Sequence, residues 1–122
     1  MSEAAFLNRL VAETGCGLLL DLYNLECNAH NQGWAAADFL AELDLAPVRE
    51  LHLAGGTEHC GLMLDIHSRL TRDSTRQLLP EVLARAPGVE AVIYEIMPEA
   101  LPVLGHQAWA DEVERLDQLM AA

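Results

Sequence analysis

Apolar positions recur along the chain with two different periods, and the switches between them outline a fold. From Glu3 to Thr14, Phe6, Leu7, Leu10 and Val11 fall at helical spacing. Gly15 follows where a left-handed residue commonly ends a helix. Gly17 to Leu22 is an apolar run broken only by Asp21, the pattern of a strand covered on both faces. Asn28 to Gly33 reads as a polar loop, and Ala36 to Leu45 as an amphipathic helix carrying Phe39, Leu40 and Leu43. Pro47 breaks the chain, after which Val48 to Ala54 predicts a second strand ending at Gly55-Gly56. Leu62 to His67 is apolar but too short to type. Asp73 is the expected N-cap of a helix running to about Ala86, with Leu78, Leu79, Val82 and Leu83 inward. Pro80 inside that span predicts a kink or a late first turn. Ala91 to Glu95 predicts a further strand, and Ala108 to Met120 a last helix with Trp109, Val113, Leu116 and Leu119 inward.

Helices alternating with apolar strands argue an α/β protein with a parallel sheet, here a partial (β/α)-barrel of about four β/α units. The 122 residues form one domain, 1–122. An eight-stranded barrel typically takes about 250 residues, so this chain has the size of half of one. An open half-barrel exposes two strand edges and an apolar inner face. The expectation is therefore a homo-oligomer, or a chain lacking its other half.

Charge narrows the function. The net charge is −12 and every basic residue is an arginine. Such a chain repels nucleic acid and anionic membrane surfaces. Its carboxylates serve either solubility or cation binding. No basic n-region precedes an apolar stretch after Met1-Ser2-Glu3, and no apolar run approaches the length of a membrane span. Cys16, Cys27 and Cys60 lack C-x-x-C spacing, which predicts free thiols in a reducing cytoplasm, with Cys16 packed in the core.

The candidate chemistry lies at strand ends. Asp21, His52 and Glu95 each fall at or near the carboxyl end of a predicted strand, where parallel α/β folds build their sites. Asp65 and His67 follow the Gly55-Gly56 loop and, two apart in extended chain, point to one side. Three carboxylates and two imidazoles give mixed oxygen and nitrogen donors suited to iron, manganese or zinc. Gathered without a cation, the acids would be pushed toward protonation. Each residue also has a plainer reading: Asp21 as a loop cap, His52 as a core histidine, Asp65 and His67 as loop polar groups, Glu95 as a strand-end acid. Their recurrence at one end of successive strands favours the metal. His30 and His59 read as solvent-exposed loop residues, and His106 is assigned no chemistry. Dinucleotide, Walker, G-x-S-x-G and H-E-x-x-H patterns are absent.

The order of these motifs resembles a known family. Thr14 to Asp21, then Asn24, Asn28-Ala29 and Asn31-Gln32-Gly33, His52-Leu53-Ala54-Gly55, Leu64-Asp65-Ile66-His67 and Ile93-Tyr94-Glu95 are similar to the multinuclear non-heme iron-dependent oxidative enzymes, the family of the methanobactin biosynthesis protein MbnB and its relative TglH. The resemblance covers Ser2 to about Glu95. It implies a TIM-type barrel of the xylose-isomerase-like kind holding two or three iron ions. It implies oxidation by dioxygen of ribosomally made precursor peptides, often at cysteine, with a partner protein presenting the peptide. The metal ligands it implies are Asp21, His52, Asp65, His67 and Glu95, with Asn24 as a further ligand or as support for one.

Three positions depart from the family pattern: Gln32 replaces a ligand histidine, Tyr23 an asparagine, and Gly56 a histidine. The family's first barrel half, with its own His and Glu ligands, has no counterpart here. The expectation is a truncated or divergent member, inactive alone. Two rivals remain: a divalent-metal sugar isomerase, which would need a base such as the lysine this chain lacks, and a degenerate half-barrel acting as a binding or assembly module, favoured by Gln32.

Overall fold

The computed structural model describes residues 1–121. Its centre is a parallel sheet of β1 (Leu18–Asp21), β2 (Val48–Leu53) and β5 (Ala91–Tyr94), ordered β1-β2-β5. Strands neighbouring in space follow each other along the sheet, each reached through helices, which is compatible with one sector of a barrel. Helices α2 (Leu22–Gln32) and α3 (Ala36–Glu42) lie between β1 and β2, and α4 (Asp73–Arg85) precedes β5. A hairpin of β3 (Thr57–His59) and β4 (Leu62–Leu64) is inserted after β2. The chain opens with α1 (Glu3–Thr14) and ends, after a 3₁₀ turn at Pro98–Ala100, with α5 (Leu101–Leu104) and α6 (His106–Ala121).

Alternation along the strands separates two faces. Leu20, Leu51 and Leu53 are buried beneath the helices with Leu22, Leu40, Leu79, Val82 and Leu116, and Val92 and Tyr94 pack against this core. The other face carries Leu19, Glu50, His52 and Ile93 and stays open: Leu19 is 55% and Ile93 39% exposed. Register aligns the strand ends. Asp21 pairs with His52, and His52 with Ile93. The Glu95 amide extends the ladder by donating to the Leu53 carbonyl at 2.8 Å.

Several elements follow directly from local chemistry. Ser2 caps α1 by accepting from the Ala5 amide at 3.1 Å, and Gly15 closes it at φ 70°. The expected polar loop 28–33 is instead the second half of α2. Asp21 caps that helix, Gly33 ends it at φ 74°, and its buried face is Leu22, Tyr23, Leu25, Cys27 and Ala29. The polar run in that half is the outer face of an amphipathic helix. Asp73 is the first helical residue of α4, with Arg72 at the cap, and the helix continues through Pro80 to Arg85. Cys16 is exposed, not core, because it precedes β1. Cys27 is the buried thiol, packed with Tyr23, Ala54 and Met63. Phe6 and Leu10 face outward, while Ala4 and Leu7 turn to the core.

The last helix departs furthest from its apolar pattern. Leu116 is buried and Leu119 packs on the core as expected, but Trp109 and Val113 are 38% and 41% exposed. The inward position is held by Glu112, which is fully buried. It accepts from the Thr71 amide (3.1 Å) and hydroxyl, from Arg76 (3.3 Å) and from Arg115 (2.8 Å). Burying a carboxylate is costly unless it is fully partnered, and here it is. The bond to Thr71 ties α6 to the segment that follows His67. Among the described residues no helix is long and apolar enough to cross a membrane.

Removing Arg76 strips Glu112 of its internal cation. Arg76→Ala should lower unfolding stability by about 3 kcal/mol, read as an earlier urea midpoint with an unchanged slope. A second expectation concerns thiols. Burial pushes the Cys27 thiol up to about 11, so near pH 8 it is almost wholly protonated and shielded. Iodoacetamide should therefore label Cys16 and Cys60 in the folded chain, and Cys27 only after denaturation.

Candidate metal centre

Strand ends and one returning loop assemble the site. Asp21, His52 and Ile93 form one row on the open face, and Glu95, two residues beyond Ile93, points to the same side. His67 arrives from the loop after β4. That loop can fold back over the strand ends because Gly55 and Gly56 have no side chains. A Cβ on Gly55 would collide with the Leu70 and Arg69 carbonyls, and one on Gly56 with the Leu64 carbonyl. The Gly55 carbonyl accepts from the Ser68 amide at 2.8 Å, and the His67 carbonyl accepts from the Met97 amide at 2.8 Å. Between these ties His67 adopts a left-handed φ of 52°. Asp65 and His67 thus meet through a turn, where extended-chain alternation was expected. Tyr94, its phenol pushed up to about 12 by burial, donates to the Arg69 carbonyl at 3.2 Å and steadies the same loop.

Asp21, His67 and Glu95 each present a donor atom within 4.8 Å of the other two. Glu95 Oε2 is 3.6 Å from His67 Nδ1, and its Oε1 is 3.2 Å from His52 Nδ1. Asp65 Oδ1 lies 3.1 Å from His67 Nε2. Its other oxygen accepts from Asn24 Nδ2 at 3.1 Å, and the Asn24 carbonyl oxygen accepts from Asn28 at 3.0 Å. The fold therefore brings together all six candidates, Asp21, Asn24, His52, Asp65, His67 and Glu95.

Electrostatics leave the cluster short of positive charge. Burial raises the Asp21 pKa and neighbouring Asp65 adds to the rise, against the Asn24 amide and His67. Burial alone would lower the His52 pKa, but the carboxylates of Glu50 and Glu95 outweigh it and raise it. Asp65 Oδ1 is buried without a hydrogen-bond donor among the described residues, because its contact with His67 is not aligned as one. An orphaned buried carboxylate oxygen beside two more carboxylates and two imidazoles fits a divalent cation of borderline hardness.

Residues 1–120 match the family model described as "RiPP precursor modification enzyme MbnB/TglH/ChrH". The chain belongs to the MbnB/TglH/ChrH family. Among its relatives, a UPF0276 protein of Rhizobium meliloti is 35% identical over 119 residues, covering 93% of this chain and 38% of the relative. One from Paraburkholderia phytofirmans is 37% identical over 114 residues, 88% of this chain and 37% of the relative. A third, from Bordetella pertussis, is 56% identical over 55 residues, 45% of this chain and 19% of the relative. The chain thus spans little more than a third of the first two relatives' length.

Tyr23 and Gly56 are neighbours: a Cβ at Gly56 would stand 2.8 Å from the buried Tyr23 hydroxyl, and closer still to the Leu64 carbonyl. Gln32 does not turn to the cluster. Its amide oxygen accepts from Trp34 Nε1 at 3.3 Å, on a cavity of about 330 Å³ shared with Asp38 and Glu42. A larger cavity, about 560 Å³ between β5 and α6, lies on the helix-covered face and does not meet the cluster. His30 is exposed on the last turn of α2, where it bonds the Gly61 carbonyl at 3.0 Å, and His59 is exposed on β3.

Sequence reasoning missed three participants. Asn31 pairs with both the amide and the carbonyl of Met63 (2.8 and 2.9 Å), clamping the hairpin to α2. Asn28 orients Asn24 from one helical turn away, a spacing visible in the sequence. Glu50 contacts His52 from two positions earlier on the same strand face, an interval that could have revealed it.

Proposed function

We propose that residues 1–122 form the C-terminal half of an iron-dependent oxidative enzyme with a xylose-isomerase-like barrel, acting on a ribosomally made precursor peptide. The observation that carries this reading is the convergence of Asp21, His67 and Glu95 within 4.8 Å at the carboxyl edge of a parallel sheet. Family membership supports the substrate class. The open inner face, with Leu19 and Ile93 exposed, supports completion by further barrel strands or by a second copy.

In this reading Asp21, His67 and Glu95 hold the metal, with His52 and Asp65 beside them. The carboxylates offset its charge, and the imidazoles, as neutral donors, keep the net charge low. Asn24, held by Asn28, keeps one oxygen of Asp65 engaged so that the orphaned one faces the centre. Iron bound there supplies Lewis acidity and a path for electrons between dioxygen and the substrate. A cavity of about 310 Å³ along β1, lined by Asp21, Asn24 and Asn28, gives a peptide side chain access to the centre. Cysteine is the residue type we assign to it, presented by a partner protein in the cytoplasm. The same donor set accommodates manganese or zinc, and metal identity is part of the test.

After anaerobic, iron-supplemented expression, elemental mass spectrometry should find near-stoichiometric iron in the purified chain. Asp21→Ala combined with His67→Ala should reduce it to background while circular dichroism is retained. A folded wild-type chain without iron overturns the proposal for this chain, and preferential retention of zinc or manganese overturns its oxidative part.

A further inference from the structure

We infer that Glu50 is a positioning residue for this centre: it accepts the Nε2 proton of His52 and so makes Nδ1 the nitrogen offered to a metal ion. The inference rests on the reading of Asp21, His67 and Glu95 as ligands and assigns Glu50 no contact with the ion.

Geometry carries it. Glu50 and His52 are two residues apart on β2, so their side chains share the open face of the sheet. Glu50 Oε1 is 2.5 Å from His52 Nε2, a charge-assisted hydrogen bond. The opposite ring nitrogen, Nδ1, is 3.2 Å from Glu95 Oε1 and so faces the ligand cluster. Register sets Glu50 beside Leu19 on one strand and Ala91 on the other, one step before the row of Asp21 and His52. His52 is its one hydrogen-bond or ion-pair partner among the described residues. The Glu50 side chain, 37% exposed, lies between Leu19 and Ala91 on the open face, and the contact it makes there is the one that holds this ring. Metal-binding histidines commonly donate their second N–H to a carboxylate, which selects the tautomer, orients the ring and makes it a better donor. His52 is only 14% exposed and is held between Glu50 at Nε2 and Glu95 at Nδ1.

The test uses the ¹⁵N-labelled chain, zinc as a diamagnetic probe, and the variants Glu50→Ala and Glu50→Gln. Two-bond proton–nitrogen correlations should show zinc on His52 Nδ1 with a proton kept on Nε2. Glu50→Ala should weaken zinc binding by about tenfold to 100-fold. Glu50→Gln, whose amide oxygen accepts the same N–H, should restore most of the affinity. Zinc on Nε2, unchanged affinity in Glu50→Ala, or equal losses in both variants overturns the inference. If the wild-type chain takes up no metal at all, the functional reading fails instead. The inference is then decided in the metal-free protein, where exchange of the His52 Nε2 proton should be slow in wild type and fast in Glu50→Ala. Equal exchange rates overturn it there.

Discussion

The register of three parallel strands is the constraint from which the site follows. Hydrogen bonding fixes Asp21 opposite His52 and His52 opposite Ile93, and Glu95 prolongs the ladder through its amide. Because side chains alternate between faces, one register setting directs Asp21, His52 and Glu95 toward the same space. A slip by one residue would turn any of them into the leucine core beneath the helices. The apolar row Leu20, Leu51 and Val92 enforces that register, since its members must be buried together. The row of candidate ligands is therefore positioned by the hydrophobic one. Asp21 couples the two, because its carboxylate also accepts from the Asn24 amide in the first turn of α2, at 2.8 Å.

The second requirement is a loop that returns over the strand ends. Gly55 and Gly56 permit close backbone approach, Tyr94 and the Met97 amide hold the far side, and Glu112 anchors Thr71 from α6. These contacts carry His67 to Asp21 and Glu95 although it belongs to no strand. The cluster they create gathers carboxylates in a half-buried place, where burial already works against the charge on Asp21. A bound cation would reverse that balance by favouring the charged form of the carboxylates.

Much of this was legible beforehand. The three parallel strands, helices α1, α3, α4 and α6, and the strand-end candidates Asp21, His52 and Glu95 follow from apolar runs. Asp65 and His67 stand out only as a pair after the Gly55-Gly56 loop, and Asn24 enters through the family resemblance alone. That resemblance agrees with residues 1–120 matching the MbnB/TglH/ChrH family. What escaped detection depended on contacts distant in sequence. The second half of α2 looked like a loop because its outer face is asparagine, histidine and glutamine, and Asp21 was weighed as a loop cap when it caps that helix. Glu112 sits where periodicity calls for an apolar residue, and only Thr71, Arg76 and Arg115, which surround it, make that position tenable. Gln32 is a further case of a local contact that the sequence does not reveal: its partner is Trp34, two residues on, and its side chain lines a different cavity.

The central claim is that Asp21, His67 and Glu95 share one ion. Anomalous diffraction at the iron edge, from crystals of the iron-loaded chain, tests it most directly. The account predicts an anomalous peak bounded by these three side chains, with His52 Nδ1 turned toward it. A peak at a different group of residues, or none in iron-soaked crystals that retain the fold, would contradict it.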